Sequence, residues 1–189
     1  MKKVVLAGIV TVFAASTAFA SSVPVTDIQE GNSKVSAEYS FAQRVSGNGS
    51  DNDGFGVSIE TGLTDRWAVQ YGYHKTNLRG HDLNDHQAAA VYRINDNFNA
   101  YGALTLVDAG DDNWGLQAGV IGHMPLTDRI EGFAKFGIGD DIEQSYQLGA
   151  KYNLTESWDL NAYYAYDKYD IGGTKESDKG FHVGAGYKF

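Results

Sequence analysis

Apolar residues recur at every second position through almost the whole chain, the period of a β-strand whose two faces differ. Ten such runs can be read, near 35–41, 55–63, 67–73, 88–94, 98–106, 114–120, 130–138, 146–154, 158–166 and 181–189. Typical members are Val35, Ala37, Tyr39 and Phe41 in the first and Phe181, Val183, Ala185, Tyr187 and Phe189 in the last. With flanking residues each strand reaches about 9 to 11 residues, the length that crosses a bilayer at a tilt. Strands joined in sequence by short turns make antiparallel hairpins, so the pattern constrains the chain to an all-β meander.

Four of the turns share a motif: an aliphatic residue, Thr or Asn, an acid, any residue, then an aromatic or Ile. It reads Leu63-Thr64-Asp65-Arg66-Trp67, Ile94-Asn95-Asp96-Asn97-Phe98, Leu126-Thr127-Asp128-Arg129-Ile130 and Leu154-Thr155-Glu156-Ser157-Trp158. The intervals of 31, 32 and 28 residues mark one hairpin after another. Thr, Asn and Asp bend the chain through side-chain hydrogen bonds to nearby backbone.

The second row of each strand decides which face points where. A soluble sandwich would show water a row rich in Lys and Glu. Here that row is dominated by small and neutral residues, among them Gly56, Ser58, Gly72, Gln87, Gln117, Gln147, Asn161 and Gly186. Such side chains suit a narrow lumen. Tyr, Trp and Phe gather at the ends of the apolar row, where a membrane barrel carries its two aromatic girdles. The expected fold is an antiparallel up-and-down transmembrane β-barrel of ten strands, or eight if one hairpin fails.

The first residues stand apart. Lys2 and Lys3, an apolar stretch from Val4 to Ala15 and the small-residue pattern Ala18-Phe19-Ala20 form a secretory signal peptide. The stretch is shorter than the roughly 20 residues of a spanning helix. Residues 1–20 are therefore assigned to the signal, with cleavage near Ala20, residues 21–32 to a short periplasmic segment, and residues 33–189 to the barrel. The net charge of −9 becomes −11 once Lys2 and Lys3 leave. That acidity argues against a nucleic-acid partner, whose binding rests on Lys and Arg. With no Cys in the chain there is no disulfide, thiolate metal site or lipid-bearing cysteine.

The chain ends His182-Val183-Gly184-Ala185-Gly186-Tyr187-Lys188-Phe189. Its Gly184, Tyr187 and terminal Phe189 resemble the C-terminal signal of bacterial outer-membrane barrels, the family that includes the small OmpA and OmpX types. The resemblance implies residence in the outer membrane after export through the periplasm, contact with outer-membrane lipid, and recognition of the last strand by the barrel-assembly machinery. With both termini periplasmic, the four acidic turns lie inside and five loops lie outside, near residues 44–53, 77–85, 108–112, 139–143 and 167–179. Those loops hold 14 acids against 5 Lys or Arg.

Eight charged residues fall on the inward row: Glu38, Glu60, Arg93, Glu131, Lys135, Lys151, Asp159 and Lys188. Their signs alternate around the seam, as Glu131, Lys151, Asp159, Lys188 and Glu38. Neighbouring strands lie ~5 Å apart, so these groups can pair, and unpaired charges in a narrow lumen are costly. The network serves either as an internal brace or as a constriction that filters small solutes by charge. Small inward residues above it, such as Ser40, Gly72, Gly115, Gly137 and Gly149, suggest a cup open to the outside.

No constellation demands chemistry. A rim enzyme would draw on His74, His81, Asp82, Asp85, His86 and His182, yet the paired-acid motifs of the outer-membrane proteases find no match here. The runs Asp108-Ala109-Gly110-Asp111-Asp112 and Asp140-Asp141-Ile142-Glu143 lack the spacing of a calcium loop. No catalytic residue, cofactor or metal is expected. The functional expectation is a narrow porin-like or structural barrel, with surface adhesion through the outer loops as the alternative, above all through the long segment from Asp167 to Lys179.

Overall fold

The computed structural model describes residues 22–45, 52–78, 81–108, 112–140, 142–171 and 174–189. Ten strands form a closed antiparallel barrel: β1 Ser33–Val45, β2 Asn52–Gly62, β3 Trp67–Leu78, β4 His81–Asn95, β5 Phe98–Asp108, β6 Asp112–Pro125, β7 Ile130–Gly139, β8 Ile142–Asn153, β9 Trp158–Ile171 and β10 Thr174–Lys188. Each strand pairs with its neighbours in sequence, and β1 meets β10 to close the ring. The seam runs from Lys34 opposite Lys188 to Phe41 opposite Phe181 and, past a bulge, on to Val45 opposite Asp178. Beyond the strand ladder, the backbone of Ser33 and Phe189 exchanges two hydrogen bonds of 3.1 and 2.9 Å. Closure leaves no strand edge unpaired.

The turn motif works as its residue types require. The Thr64 hydroxyl accepts from the backbone N–H groups of Arg66 and Trp67 at 3.2 and 3.0 Å. Thr127 does the same for Arg129 and Ile130, and Thr155 for Ser157 and Trp158. Asn95 replaces the hydroxyl with its amide oxygen, which accepts from Asn97 and Phe98 at 2.9 and 3.0 Å.

The apolar row faces outward. Leu148 is 69% exposed and Leu116 61%, while the inward Asp159 is 0% exposed. That is the reverse of a soluble protein and the arrangement of a barrel whose outside meets lipid. Aromatic pairs mark both rims of the apolar band. Trp67 with Tyr92 and Trp158 with Tyr187, each at 4.9 Å between centroids, stand at the end that carries the tight turns. Phe41 with Phe181 and Tyr146 with Tyr166 stand towards the other.

Two expectations are corrected. The stretches 77–85 and 167–179 are not long loops. β3 continues to Leu78, β4 begins at His81, β9 continues to Ile171 and β10 begins at Thr174. Polar residues on both faces predict a loop, but a strand that rises past the lipid can carry them and still pair. The lumen is also not an open cup. Tyr101, Phe133, Tyr163 and Tyr169 point inward and are buried among the small residues. Glycines opposite them make the room: a Cβ on Gly137 would lie 2.0 Å from the Tyr101 hydroxyl, and one on Gly149 2.3 Å from the Tyr163 Cβ.

Candidate functional site

Of residues 21–32, expected as a short periplasmic segment, 22–28 run inside the turn-bearing end of the barrel and 29–32 stand exposed at its mouth. Gly31, at a φ of 82°, turns the chain inward from β1. The N–H of Gly31 donates to the Gly62 carbonyl at 2.9 Å, and the N–H of Gly62 returns the bond to Asn32 at 2.9 Å. Gly62 is required here, since a Cβ on it would stand 2.0 Å from the Gln29 carbonyl oxygen. From this clasp the chain runs up the lumen, and Ile28, Val25 and Val23 are each 1% exposed.

The segment forms no strand, so its backbone groups need other partners. Lumen side chains supply them. Arg93 donates to the carbonyl of Ile28. Asn99 Nδ2 donates to the carbonyl of Val25 at 2.9 Å, and Gln70 Nε2 to that of Val23 at 2.8 Å. The N–H of Val23 donates to Glu38 Oε1 at 2.9 Å. Lys151 Nζ reaches the Thr26 hydroxyl at 2.6 Å, and Lys188 Nζ lies 4.0 Å from Asp27.

The lumen has two unlike walls, and the segment has a face for each. On β3 to β6 the inward residues Ala68, Ala89, Val91, Ala103 and Ile121, with Tyr101, form an apolar cluster completed by Val25 and Ile28. Further up, Val23 packs with Phe133, Tyr163 and Ala165. Full burial of a Val or Ile side chain contributes about 1.5–3 kcal/mol. Most of the inward charges lie on the opposite wall, from β7 round to β2, where Thr26 and Asp27 meet Lys151 and Lys188.

The eight charges singled out from sequence are only partly brought together. Glu131 pairs with Lys151 at 2.9 Å and sits 3.5 Å from His123. Asp159 pairs instead with Lys34, at 3.6 Å, and Glu60 pairs with the same lysine at 3.7 Å. Lys34 was missed. It has the inward parity of Glu38 four positions later, but the apolar run that marks the first strand opens only at Val35. Glu38 accepts the Tyr163 hydroxyl as well as the Val23 N–H. Lys135 donates to Gln87 at 3.3 Å and lies 4.8 Å above the Tyr101 ring. Arg93, Glu38, Lys151 and Lys188 thus serve the segment rather than a continuous ring of ion pairs.

The rim candidates separate. His86 faces outward, bonded through Nδ1 to the Tyr71 hydroxyl at 2.7 Å. The side chains of His81 and Asp82, and residues 109–111 and 141 of the acidic runs, lie outside the described residues. His74 Nε2 and Ser40 Oγ are 2.9 Å apart, and both side chains are buried. Glu143 binds Lys168 and Lys175 at 2.7 and 3.3 Å. Among the described residues no three acidic or histidine side chains are placed to share a metal ion.

Known proteins set this geometry in context. The family model for the outer membrane protein beta-barrel domain matches residues 10–189. No curated protein matches the chain in sequence. Among solved structures, Ail, the attachment invasion locus protein of Yersinia pestis, is similar at a TM-score of 0.44 and 21% identity, over 85% of this chain and 100% of that one. The N-terminal β-barrel domain of Pseudomonas aeruginosa OprF gives 0.43 and 16%, over 85% and 98%. The translocator domain of the autotransporter NalP from Neisseria meningitidis gives 0.49 and 13%, over 84% and 88%. A closed barrel with its apolar face outward, and a family model that spans nearly the whole chain, lead to one conclusion: the chain belongs to the outer membrane β-barrel domain family and is an integral protein of the bacterial outer membrane.

Proposed function

We propose that this barrel is a structural, non-conducting protein of the outer membrane whose lumen is sealed by its own N-terminal segment. The observation that carries the proposal is the capture of three backbone carbonyls, those of Val23, Val25 and Ile28, by Gln70, Asn99 and Arg93. A filter for solutes needs its charges to face a water path. Here Arg93, Lys151, Glu38 and Lys188 face the segment, and aromatic side chains fill the space above it. The role of the inward charges is then to seat the segment and brace the floor, and no small solute is expected to pass. Cleavage near Ala20 frees the segment to enter. Gly184, Tyr187 and Phe189 present the last strand to the assembly machinery, with the tight turns on the periplasmic side.

The test is conductance of the refolded mature protein in a planar bilayer, beside a variant that lacks residues 22–30. The expected result is silence from the intact barrel and steady steps from the truncated one. Steady steps from the intact, folded barrel would overturn the proposal. A second reading, surface interaction, is favoured by the β9–β10 hairpin, which remains paired up to Ile171 and Thr174 and is tied to β8 through Glu143. It expects partner binding that is lost in the Lys168→Glu, Lys175→Glu variant while the fold remains.

A further inference from the structure

The outer surface of the barrel is not evenly covered with large side chains. Across β5 to β8 one cross-strand row reads Phe98, Gly122, Ala134 and Leu148, each opposite the next in register. Two large residues therefore stand either side of a floor made by two small ones. Towards the turns the floor continues through Gly132, with Met124 and Leu126 as its wall, and the hollow there measures about 620 Å³. Small-molecule sites occupy ~300–1,000 Å³, so this is more than the ordinary relief of a sheet. The same row of four opens a second hollow towards Phe136 and Tyr164, which makes the two a single groove.

Place and shape restrict what can lie in this groove. It belongs to the apolar outer face that meets lipid. A second copy of the barrel would offer a convex face, which spans the walls without reaching Gly122 and Ala134. An extended peptide brings N–H and C=O groups that need partners inside a membrane, and every strand of the closed sheet is already paired on both sides. An acyl chain brings no such groups. From Leu126 back to Val120 the groove follows β6 for ~20 Å. At a strand tilt of ~40° that is ~15 Å of depth, one leaflet's share of a hydrocarbon core ~30 Å thick. The turn that closes on Leu126 and Ile130 carries Asp128 and Arg129 side by side, both exposed. A guanidinium binds phosphate through paired hydrogen bonds, and a neighbouring carboxylate suits an amine, so the turn offers a zwitterionic headgroup one partner for each charge.

We propose that the groove on β5 to β8 is a binding site for one glycerophospholipid with a zwitterionic, amine-bearing headgroup. Its acyl chain lies over Gly122, Gly132 and Ala134, its phosphate meets Arg129 and its amine meets Asp128. The site is on the outside of the barrel and does not depend on the segment that fills the lumen.

The experiment is native mass spectrometry of the refolded mature protein in phosphate-free detergent micelles, titrated with dioleoyl phosphatidylethanolamine, dioleoyl phosphatidylglycerol or dioleoylglycerol. Wild type is compared with Ala134→Phe, which fills the floor, with Arg129→Gln, and with Gly102→Phe, an outward position off the groove where a Cβ meets nothing within 4 Å. The expected result is saturation at one retained lipid per barrel, with phosphatidylethanolamine held severalfold better than phosphatidylglycerol and dioleoylglycerol held least. Ala134→Phe is expected to lose that lipid, Arg129→Gln to hold phosphatidylethanolamine no better than dioleoylglycerol, and Gly102→Phe to match wild type. Adducts that never saturate, or that are equal in all four proteins, would mean ordinary surrounding lipid and would overturn the proposal. So would equal retention of the three lipids by wild type, or a dimer that Ala134→Phe abolishes, which would make the groove a contact between copies. If Ala134→Phe does not refold, wild type and Arg129→Gln decide the matter: a single saturable lipid that weakens in the turn variant supports the site, and its absence removes it.

Discussion

At the scale of single residues, the lumen contains positions where one atom decides the outcome. Gly62 is the clearest, since a methyl group there meets the backbone of Gln29 rather than a side chain that can move aside. Gly62→Ala is expected to leave the barrel closed but to loosen the segment, at a cost of about 1–3 kcal/mol. Rapid cleavage near Gly31 under limited proteolysis, with the barrel core resistant, is the check; unchanged protection would disprove the clasp. Lys34 is the second such position. It serves both Asp159 and Glu60, so Lys34→Met strands two buried carboxylates, a change that costs on the order of 3–5 kcal/mol. Adding Asp159→Asn and Glu60→Gln is expected to recover most of the urea midpoint. Nothing in the residue types announced this lysine, and only its parity with Glu38 did.

At the scale of elements, the strands and turns were legible because local chemistry alone writes them. A period of two sets the faces, and a hydroxyl or amide at the second motif position closes the turn, as Thr64, Asn95, Thr127 and Thr155 show. The segment 22–32 was not legible as an inserted element. Ser21-Ser22-Val23-Pro24-Val25-Thr26 has no periodic signal, and the segment's place is fixed by side chains 15 to 161 positions away, among them Glu38, Gln70, Asn99, Lys151 and Lys188. A trace of it was nevertheless present on the strands. Ala68, Ala89, Val91, Ala103 and Ile121 are inward and apolar, which no water-filled lumen explains. An apolar wall needs an apolar cover, and Val25 and Ile28 provide it. Val25→Ser is accordingly expected to cost about 1–3 kcal/mol, read as a lowered urea midpoint. The same substitution at Val57, on the lipid face, is expected to lower that midpoint less in detergent.

At the scale of the whole molecule, the barrel is apolar on its outside and closely filled on its inside, so it depends on lipid for one and on its own chain for the other. Leu148→Arg, near the middle of the apolar band, is expected to cost about 2–4 kcal/mol in a bilayer, measured by urea unfolding in lipid vesicles; an unchanged midpoint would mean that this face does not meet acyl chains. Phe189→Ala keeps the backbone pairing with Ser33 and so is expected to leave equilibrium stability nearly unchanged; if the last strand is presented to an assembly machinery as proposed, the same variant folds more slowly into vesicles that carry that machinery, and an unchanged half-time would remove that role. The burial of Ser22 has a practical consequence for anyone who handles the protein. A tag fused directly ahead of it is expected to crowd the lumen or displace the segment, and one fused after Phe189 to disturb the backbone pairing with Ser33 at the seam. A label placed in the outer turns between strands avoids both.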